Sequence, residues 1–190
     1  MGKTEASGKI QIDDKEWQRT KKIIDALKNC YTTVGVHKDA GNSPSGLPIA
    51  AIAHIQEYGL DSPGIKVTQK MRNYLRALGL YLKKTTEYIK IPERSFERAW
   101  VDEQKGAINT LVEKLIGEII DGKITAMQGL GQLGEFAVTG MKNRILSGIP
   151  PANHPFTVML KGSSGTLRDK GNLIGAITHN EVIGTPPAEG

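Results

Sequence analysis

The side chains best suited to metal binding or nucleophilic chemistry in this chain are four histidines and a single cysteine. They are His37, His54, His154, His179 and Cys30. A structural zinc site takes four such ligands, usually in closely spaced pairs, and none of these residues stands at that spacing. We therefore expect no metal site and no cofactor. A lone cysteine is also typical of a protein from a reducing compartment.

Two stretches rich in glycine and serine have the composition of phosphate-binding or nucleophile-bearing loops. The stretch KGSSGTLRDKG at 161–171 lacks the G-x-x-x-x-G-K-[ST] order of a phosphate cradle, and no apolar strand leads into it. Neither it nor GNSPSG at 41–46 contains the G-x-S-x-G pattern of a nucleophile elbow. Both stretches are therefore predicted to be surface loops, and the first a mobile one.

Carboxylates also cluster around the sequence IPERSF at 91–96. They are Glu93, Glu97, Asp102 and Glu103, and the cations beside them are Arg94, Arg98 and Lys105. Alternating charges at this density favour ion pairs on a surface over acid–base catalysis. Together with the missing metal and nucleophile patterns, this indicates a protein that is not an enzyme.

The strongest signal for function is the position of the positive charge. Residues 62–90 contain seven cations and one carboxylate, a net charge of +6, whereas the whole chain carries +5. The rest of the chain is therefore close to neutral, so the excess charge belongs to one segment. No stretch approaches the roughly 20 apolar residues that a membrane span needs, and we expect no membrane partner.

The spacing of apolar residues predicts that this segment is an amphipathic helix over 67–84, weakened by Gly79. Its polar side carries a basic stripe, which comprises Lys70, Arg72, Arg76, Lys83 and Lys84. Two interpretations of the stripe stay open: a solvated helix face, or a contact with a polyanion such as DNA. A contact with a membrane surface is the third option, and it is disfavoured because the apolar face is moderate and interrupted by Gly79. Tyr74, Tyr81 and Tyr88 recur at one edge of the helix, where packing is the simplest interpretation.

The remaining pattern predicts an α+β fold: a small, mostly antiparallel sheet packed with helices, a long helical hairpin and the inserted basic helix. Helices are predicted over 14–29 and 49–58, the second ending at Gly59, and strands over 31–37 and near 173–183. The hairpin joins 103–121 to 123–147 through Asp121 and Gly122. We predict a single domain over 1–190, with 31–61 and 91–183 as framework, 62–90 as insertion and 184–190 as a flexible tail.

Three short motifs in this order give the chain a resemblance to a known family. The first is E-[YF]-G at the end of a helix, the second is I-P-x-R-x-F, and the third is similar to L-x-D-x-G-x-L. Here they comprise Glu57, Tyr58 and Gly59; Ile91, Pro92, Arg94 and Phe96; and Leu167, Asp169, Gly171 and Leu173. From about residue 31 to 183 the chain thereby resembles the tail completion, or neck, proteins of tailed bacteriophages and prophages, which belong to the broad group of head–tail joining proteins.

The resemblance implies a structural protein that forms a ring at the junction between capsid connector and tail, with genomic DNA passing through. A ring of six copies is preferred, with twelve as the alternative. The implied partners are further copies of the chain, head connector or adaptor proteins, tail terminator or tail tube proteins, and double-stranded DNA. The implied location is the neck of the virion, after assembly in the bacterial cytoplasm.

The resemblance also assigns roles to IPERSF. The corner would return the chain to the sheet, with φ fixed by Pro92, Phe96 packed inward and Arg94 free for an ion pair. The basic helix would face the DNA or an acidic neighbouring ring. An alternative function stays open: a stand-alone nucleic-acid-binding protein that uses the basic helix over 66–90.

Overall fold

The computed structural model describes residues 14–168 and 170–186, which form an α+β fold as predicted. The helices are α1 (Asp14–Lys28), α2 (Ile49–Tyr58), α3 (Gln69–Ala77), α4 (Arg98–Ile120), α5 (Ala126–Ser147), α6 (Pro155–Lys161) and α7 (Asn172–Gly175). The strands are β1 (Cys30–Val36), β2 (Leu60–Lys66), β3 (Tyr88–Ile91) and β4 (Ile177–Ile183). Residues 1–13, 169 and 187–190 lie outside the described part, and with them lies most of the predicted tail.

The predicted helical hairpin is confirmed, and it forms the centre of the fold. α4 packs against α5, and α5 covers the sheet of β1 and β4. Thr125 begins α5 with a capping box, in which its hydroxyl accepts from the Gln128 N–H and the Gln128 side chain accepts from the Thr125 N–H. The core contains Phe96, Ile145 and Ile177, which have no exposed surface. The hairpin therefore supplies the surface against which the other elements are fixed.

The strands form two separate antiparallel sheets of two strands each, where the sequence predicted one small sheet. β1 pairs with β4, and Val34 stands opposite His179. β2 pairs with β3, with an irregular register between Leu60 and Ile65. Antiparallel pairing is confirmed, but the segment between α2 and α4 makes a sheet of its own.

The prediction of one basic helix over 67–84 is wrong in its extent. α3 begins after Thr68, whose hydroxyl accepts from the Met71 N–H, and it ends at Ala77. Gly79 then takes φ +89°, a left-handed conformation that turns the chain out of the helix. Lys83 and Lys84 consequently lie in the loop that returns to β3, outside any helix.

One further prediction about packing is wrong. The IPERSF corner does not return the chain to the main sheet, because β3 ends at Ile91 and the chain continues into α4.

The first predicted helix is confirmed as α1, but its apolar side is not covered. No residue of this helix is buried, and Trp17 is 60% exposed. Helical periodicity identified α1 correctly but could not tell whether a partner element covers its apolar face.

The predicted mobile loop at 161–171 is anchored where the structure describes it. Gly165 and Thr166 are buried, and the Thr166 hydroxyl accepts from the Ile149 N–H at 2.9 Å. The predicted last strand begins later than expected, because residues 172–175 form α7 and only Ile177 onward pairs with β1. Among residues 14–168 and 170–186, no helix combines the length and the apolar character that a bilayer crossing requires.

Candidate functional site

The segment between α2 and α4 folds as a unit that we call the basic arm, comprising residues 60–91. It contains β2, α3, β3 and the loop from α3 to β3. β2 and β3 pair with each other and with no other strand of the described chain, and α3 makes no extensive contact with another helix or strand there. The arm is therefore joined to the rest of the fold mainly at its base.

Most cations of the basic arm are exposed. These are Lys66, Lys70, Arg76, Lys83, Lys84 and Lys90. Within the residues that the structure describes, none of them forms an ion pair with a carboxylate. The one carboxylate between residues 62 and 90, Glu87, is exposed and forms no ion pair there either. Like charges held this close create a positive potential that attracts anions over about one Debye length, or ~8 Å at physiological salt.

Arg72 differs from the other cations of the predicted stripe because its side chain organises the loop. Its Nη1 donates to the Lys83 carbonyl at 2.9 Å, and its Nη2 donates to the carbonyls of Thr86 and Lys84. The guanidinium therefore holds the loop that carries Lys83 and Lys84, and is not directed outward. Of the five predicted stripe residues, Lys70, Arg76, Lys83 and Lys84 remain candidates for contact with a partner.

Tyrosines on the basic arm are exposed, so the prediction that they pack at the helix edge is wrong. Tyr74 is 65% exposed and Tyr81 is 74% exposed. Tyr81 follows the end of α3, and Tyr88 lies in β3, so the three do not share a helix face. Exposed rings among cations form a surface suited to base stacking or to a protein partner.

The first two motifs of the resemblance meet at the base of the arm, around Glu57. Glu57 belongs to α2, and its side chain is only 3% exposed. Oε2 accepts from the N–H groups of Phe96 and Glu97 at 2.8 and 3.0 Å. Oε1 accepts from the Ser95 hydroxyl at 2.5 Å and from the N–H and Nε of Arg98 at 2.9 and 3.2 Å. Glu57 thereby satisfies the free N–H groups at the start of α4.

Two carboxylates at this junction have opposite pKa shifts. Burial is the largest influence on Glu57 and raises its pKa, but the hydrogen bonds from Ser95, Glu97, Arg98 and Phe96 together leave that pKa below its ordinary value. Burial and the nearby charge of Glu57 raise the pKa of Glu97, against a single bond from the Val36 N–H. Glu57 is therefore held as the anion, whereas the anion of Glu97 is disfavoured.

The neighbours of Glu57 complete this junction. The Arg98 guanidinium lies 4.3 Å from the centre of the Tyr58 ring and 2.7 Å from Glu93 Oε1, which confirms the predicted ion pairing after IPERSF in part. Gly59 has φ +72°, and a Cβ there would lie 2.8 Å from the Glu93 nitrogen, so a larger residue does not fit. Glycine thus lets the first motif run directly beside the second.

Arg94 is not free for an ion pair, contrary to the expectation. It is 8% exposed, and its Nε and Nη2 donate to the carbonyls of Pro151 and Ala152 at 3.0 and 3.4 Å. Pro92 is exposed and Ile91 half-buried at the end of β3. The predicted inward packing of Phe96 is confirmed, since it has no exposed surface.

The third motif lies beside the other two. Gly171 precedes α7 with φ +78°, and Leu173 is buried in the core near α2. Leu167 and Leu173 line the same cavity as Ile91 and Arg94. Asp169 lies outside the described residues, so its part in the motif stays a prediction. Segments distant in the sequence therefore converge on one region.

Sequence reasoning missed the roles of Ser95, Glu97 and Arg98 at the junction. The Ser95 hydroxyl accepts from the Ala99 N–H at 3.1 Å, but Glu97, at the N-cap position of α4, makes no side-chain cap bond. The other N–H groups at this helix start therefore need an acceptor from elsewhere in the chain. Local sequence does not identify Glu57, the second-last residue of α2, as that acceptor.

The described residues contain no group of three or more histidine, cysteine, aspartate or glutamate side chains arranged to hold a metal ion. The buried carboxylate of Glu57 is fully occupied by donors of its own chain, which leaves it no free lone pair directed at a substrate. No protein-family model, curated protein or solved structure matches this chain.

Proposed function

We propose that this chain is a structural neck protein of a tailed bacteriophage. It forms a ring at the head–tail junction, joins the tail to the connector and lets DNA pass, without catalysing a reaction. The observation that carries the proposal is the basic arm, whose cations other than Arg72 are exposed and form no ion pair with a carboxylate among the described residues. The convergence of the three motifs of the resemblance on the arm's base and the cavity beside it supports the proposal further.

A closed ring would bring the basic arms of all copies together. Contacts between unlike surfaces of successive copies close into rings when the rotation between copies permits it. Each copy adds one arm, so a ring of six, or alternatively twelve, presents a band of positive charge. The proposed neighbours of this band are the genomic DNA in the channel and the acidic surfaces of head connector, adaptor, tail terminator or tail tube proteins. The proposed location is the virion neck, reached after assembly in the host cytoplasm.

Exposed tyrosines on the arm favour a second candidate function, a stand-alone nucleic-acid-binding protein. Tyr74 and Tyr81 stand among cations with most of their surface exposed. Aromatic rings beside lysine and arginine bind nucleic acids by stacking and charge, without the need for a ring assembly. The two functions differ in assembly state and in where the protein is found.

Antibodies against this chain, applied to purified particles from the producing bacterium, test the proposal directly. We expect electron micrographs to show label at the head–tail junction, and light scattering of the purified chain to show a closed oligomer. Particles without label, together with a monomer or dimer that binds duplex DNA at nanomolar concentration, would overturn the neck function in favour of the alternative.

A charge variant tests the role of the arm itself. The arm variant replaces Lys70, Arg76, Lys83 and Lys84 by glutamine and keeps Arg72, which the loop needs. The control variant replaces four exposed lysines outside the arm, namely Lys21, Lys22, Lys38 and Lys105. Each phosphate contact adds about 0.9 to the magnitude of the slope of log affinity against log salt concentration. If all four arm cations contact phosphate, this slope should therefore be shallower by about 3.6 in the arm variant. An equal loss in both variants would show that the arm has no special role.

A further inference from the structure

A large cleft separates the basic arm from the rest of the fold, and we call it the arm cleft. Its volume is about 1000 Å³. One wall is formed by the arm through Leu75, Leu80 and Leu82. All three leucines are only half-buried, so part of their apolar surface is left uncovered by the described residues.

The opposite wall comes from elements of the framework. Ile52 of α2, Phe156 of α6 and Leu173 of α7 face the cleft, and the first two are half-buried. The cleft thus has apolar surfaces on two sides and an opening between them. Apolar surface left half-covered on both sides of a groove is typical of a binding site for a partner with its own apolar face.

The lysines and arginines that line the arm cleft are Lys90, Arg94, Lys161 and Lys170, and none of the lining residues that the structure describes carries a carboxylate. Lys90 and Lys170 are exposed, whereas Arg94 is buried in the wall. Cations around an apolar groove attract an occupant that combines apolar side chains with carboxylates, and they repel a cationic one.

We propose that the arm cleft is the docking site of an acidic amphipathic helix from a partner protein. A helix about 10 Å across rises ~5.4 Å per turn, so about two turns fill a groove of this volume. Its apolar residues at i, i+3, i+4 and i+7 would contact the leucines of the arm and Phe156, while its carboxylates face Lys90 and Lys170. The site goes beyond the neck function and does not depend on it.

The most exposed aromatic helix outside the arm fits the arm cleft poorly if it comes from a second copy. Among the described helices outside the arm, α1 has the most exposed aromatic side chain, because Trp17 is 60% exposed. Its sequence, DKEWQRTKKIIDALK, contains five cations and three carboxylates. A net positive helix meets repulsion from the cations of the cleft, so an acidic segment of a different protein is favoured.

A defined peptide tests the proposal. The probe is a fluorescent 16-residue helix with leucine at i, i+3, i+4 and i+7 and glutamate on its other faces, titrated with the full chain by anisotropy. One control peptide has the same composition with the leucines scrambled, and another has lysine in place of every glutamate. We expect the acidic amphipathic peptide to bind at least about tenfold more tightly than either control, which corresponds to ~1.4 kcal/mol.

Variants of the chain locate the binding. Leu82→Asp should weaken binding about tenfold or more, whereas Leu146→Asp, on an exposed position of α5 outside the cleft, should leave it unchanged. The double variant Lys90→Glu, Lys170→Glu changes only exposed rim residues and keeps the core intact. It should lose affinity for the glutamate peptide and gain affinity for the lysine peptide.

Three results would overturn the proposal. The first is equal binding of all three peptides, and the second is binding that the rim variant does not change. The third is self-association of the chain that Leu82→Asp abolishes while the glutamate peptide fails to compete, which would assign the cleft to a second copy. Since the peptide assay needs no ring and no DNA, its failure would leave the neck function standing, and failure of the neck function would leave the cleft assignment standing.

Discussion

Replacing Glu57 by glutamine tests the interpretation that a buried carboxylate holds the base of the arm to α4. Glutamine has nearly the same shape, so the change removes charge and one acceptor without leaving a cavity. One side-chain oxygen remains, while the amide nitrogen takes the place of the other. If the amide oxygen takes the Oε1 position, the N–H groups of Phe96 and Glu97 lose their acceptor and face another N–H group.

The size of the effect follows from the bonds lost. A hydrogen bond to a charged group contributes about 1.5–3 kcal/mol, so the loss of two destabilises the fold by about 3–6 kcal/mol. Removing the charge also relieves repulsion on Glu97, which offsets part of this loss. We therefore expect the free energy of unfolding to fall by about 3–5 kcal/mol, where 5–15 kcal/mol is the usual total for a domain.

Urea unfolding followed by circular dichroism measures this change through the midpoint at constant slope. The matched control is Glu97→Gln, because the two carboxylates lie together but have opposite shifts. The anion of Glu97 is disfavoured by burial and by Glu57, so Glu97→Gln should be neutral or stabilising at pH 7. A loss below about 1 kcal/mol in Glu57→Gln, or an equal loss in both variants, would refute the assignment of Glu57 as the holding group.

The opposite pKa shifts of Glu57 and Glu97 also predict that the two carboxylates change the free energy of unfolding in opposite directions as pH falls. The pKa of Glu57 is lowered in the folded state, so its stabilisation is complete above the unfolded value of 4.5 and disappears as pH falls through the folded pKa. The pKa of Glu97 is raised, so its penalty is absent at low pH and grows as pH rises from 4.5 through the folded pKa. The difference between Glu57→Gln and the wild type should therefore shrink on acidification, as unfolding curves measured from pH 7 down to pH 3 would show.

Two smaller predictions concern local packing. Gly140→Ala should lower the free energy of unfolding by about 1–3 kcal/mol, because its Cβ would lie 2.2 Å from Trp100 Nε1, whereas Gly106→Ala in open space should raise it by up to ~1 kcal/mol. Thermal unfolding of both variants checks the pair, and equal shifts would contradict the contact. Arg72→Gln should speed amide hydrogen exchange in residues 83–86 without changing global stability, and unchanged exchange there would show that Arg72 does not hold the loop.

The parts of the fold that could be predicted are those in which local sequence and tertiary packing agree. The hairpin of α4 and α5 has a long apolar period and a glycine at its turn, and both signals are local. The helix of the arm was predicted too long because Gly79, with φ +89°, turns the chain out of the helix. Arg72 then holds the returning loop through the Lys83 carbonyl, eleven residues further along the chain. Helical periodicity continues through Gly79 and contains no information about that bond.

The junction was beyond prediction for a related reason. Glu57 has the sequence pattern of an exposed carboxylate near the end of a helix, and burial of such a group is costly unless donors surround it. Those donors come from residues 95–98, about forty positions further along the chain. The resemblance identified both motifs. Only the fold shows that the Glu57 carboxylate of the first motif accepts a hydrogen bond from the backbone of the second.

The position of Glu57 connects the stability of the fold with the proposed function of the arm. β2 begins at Leu60, three residues after Glu57, and β3 ends at Ile91, four residues before Ser95. Both strands of the arm are thus fixed at their base by the same carboxylate, and Gly59 brings them within direct contact there. Because an electrostatic contact gains most when its charges are already held in place, a rigid base lets the exposed cations face a partner without first being ordered. The buried carboxylate of Glu57 therefore supports the exposed cations of the arm indirectly, by fixing the base of the arm and without contacting the cations.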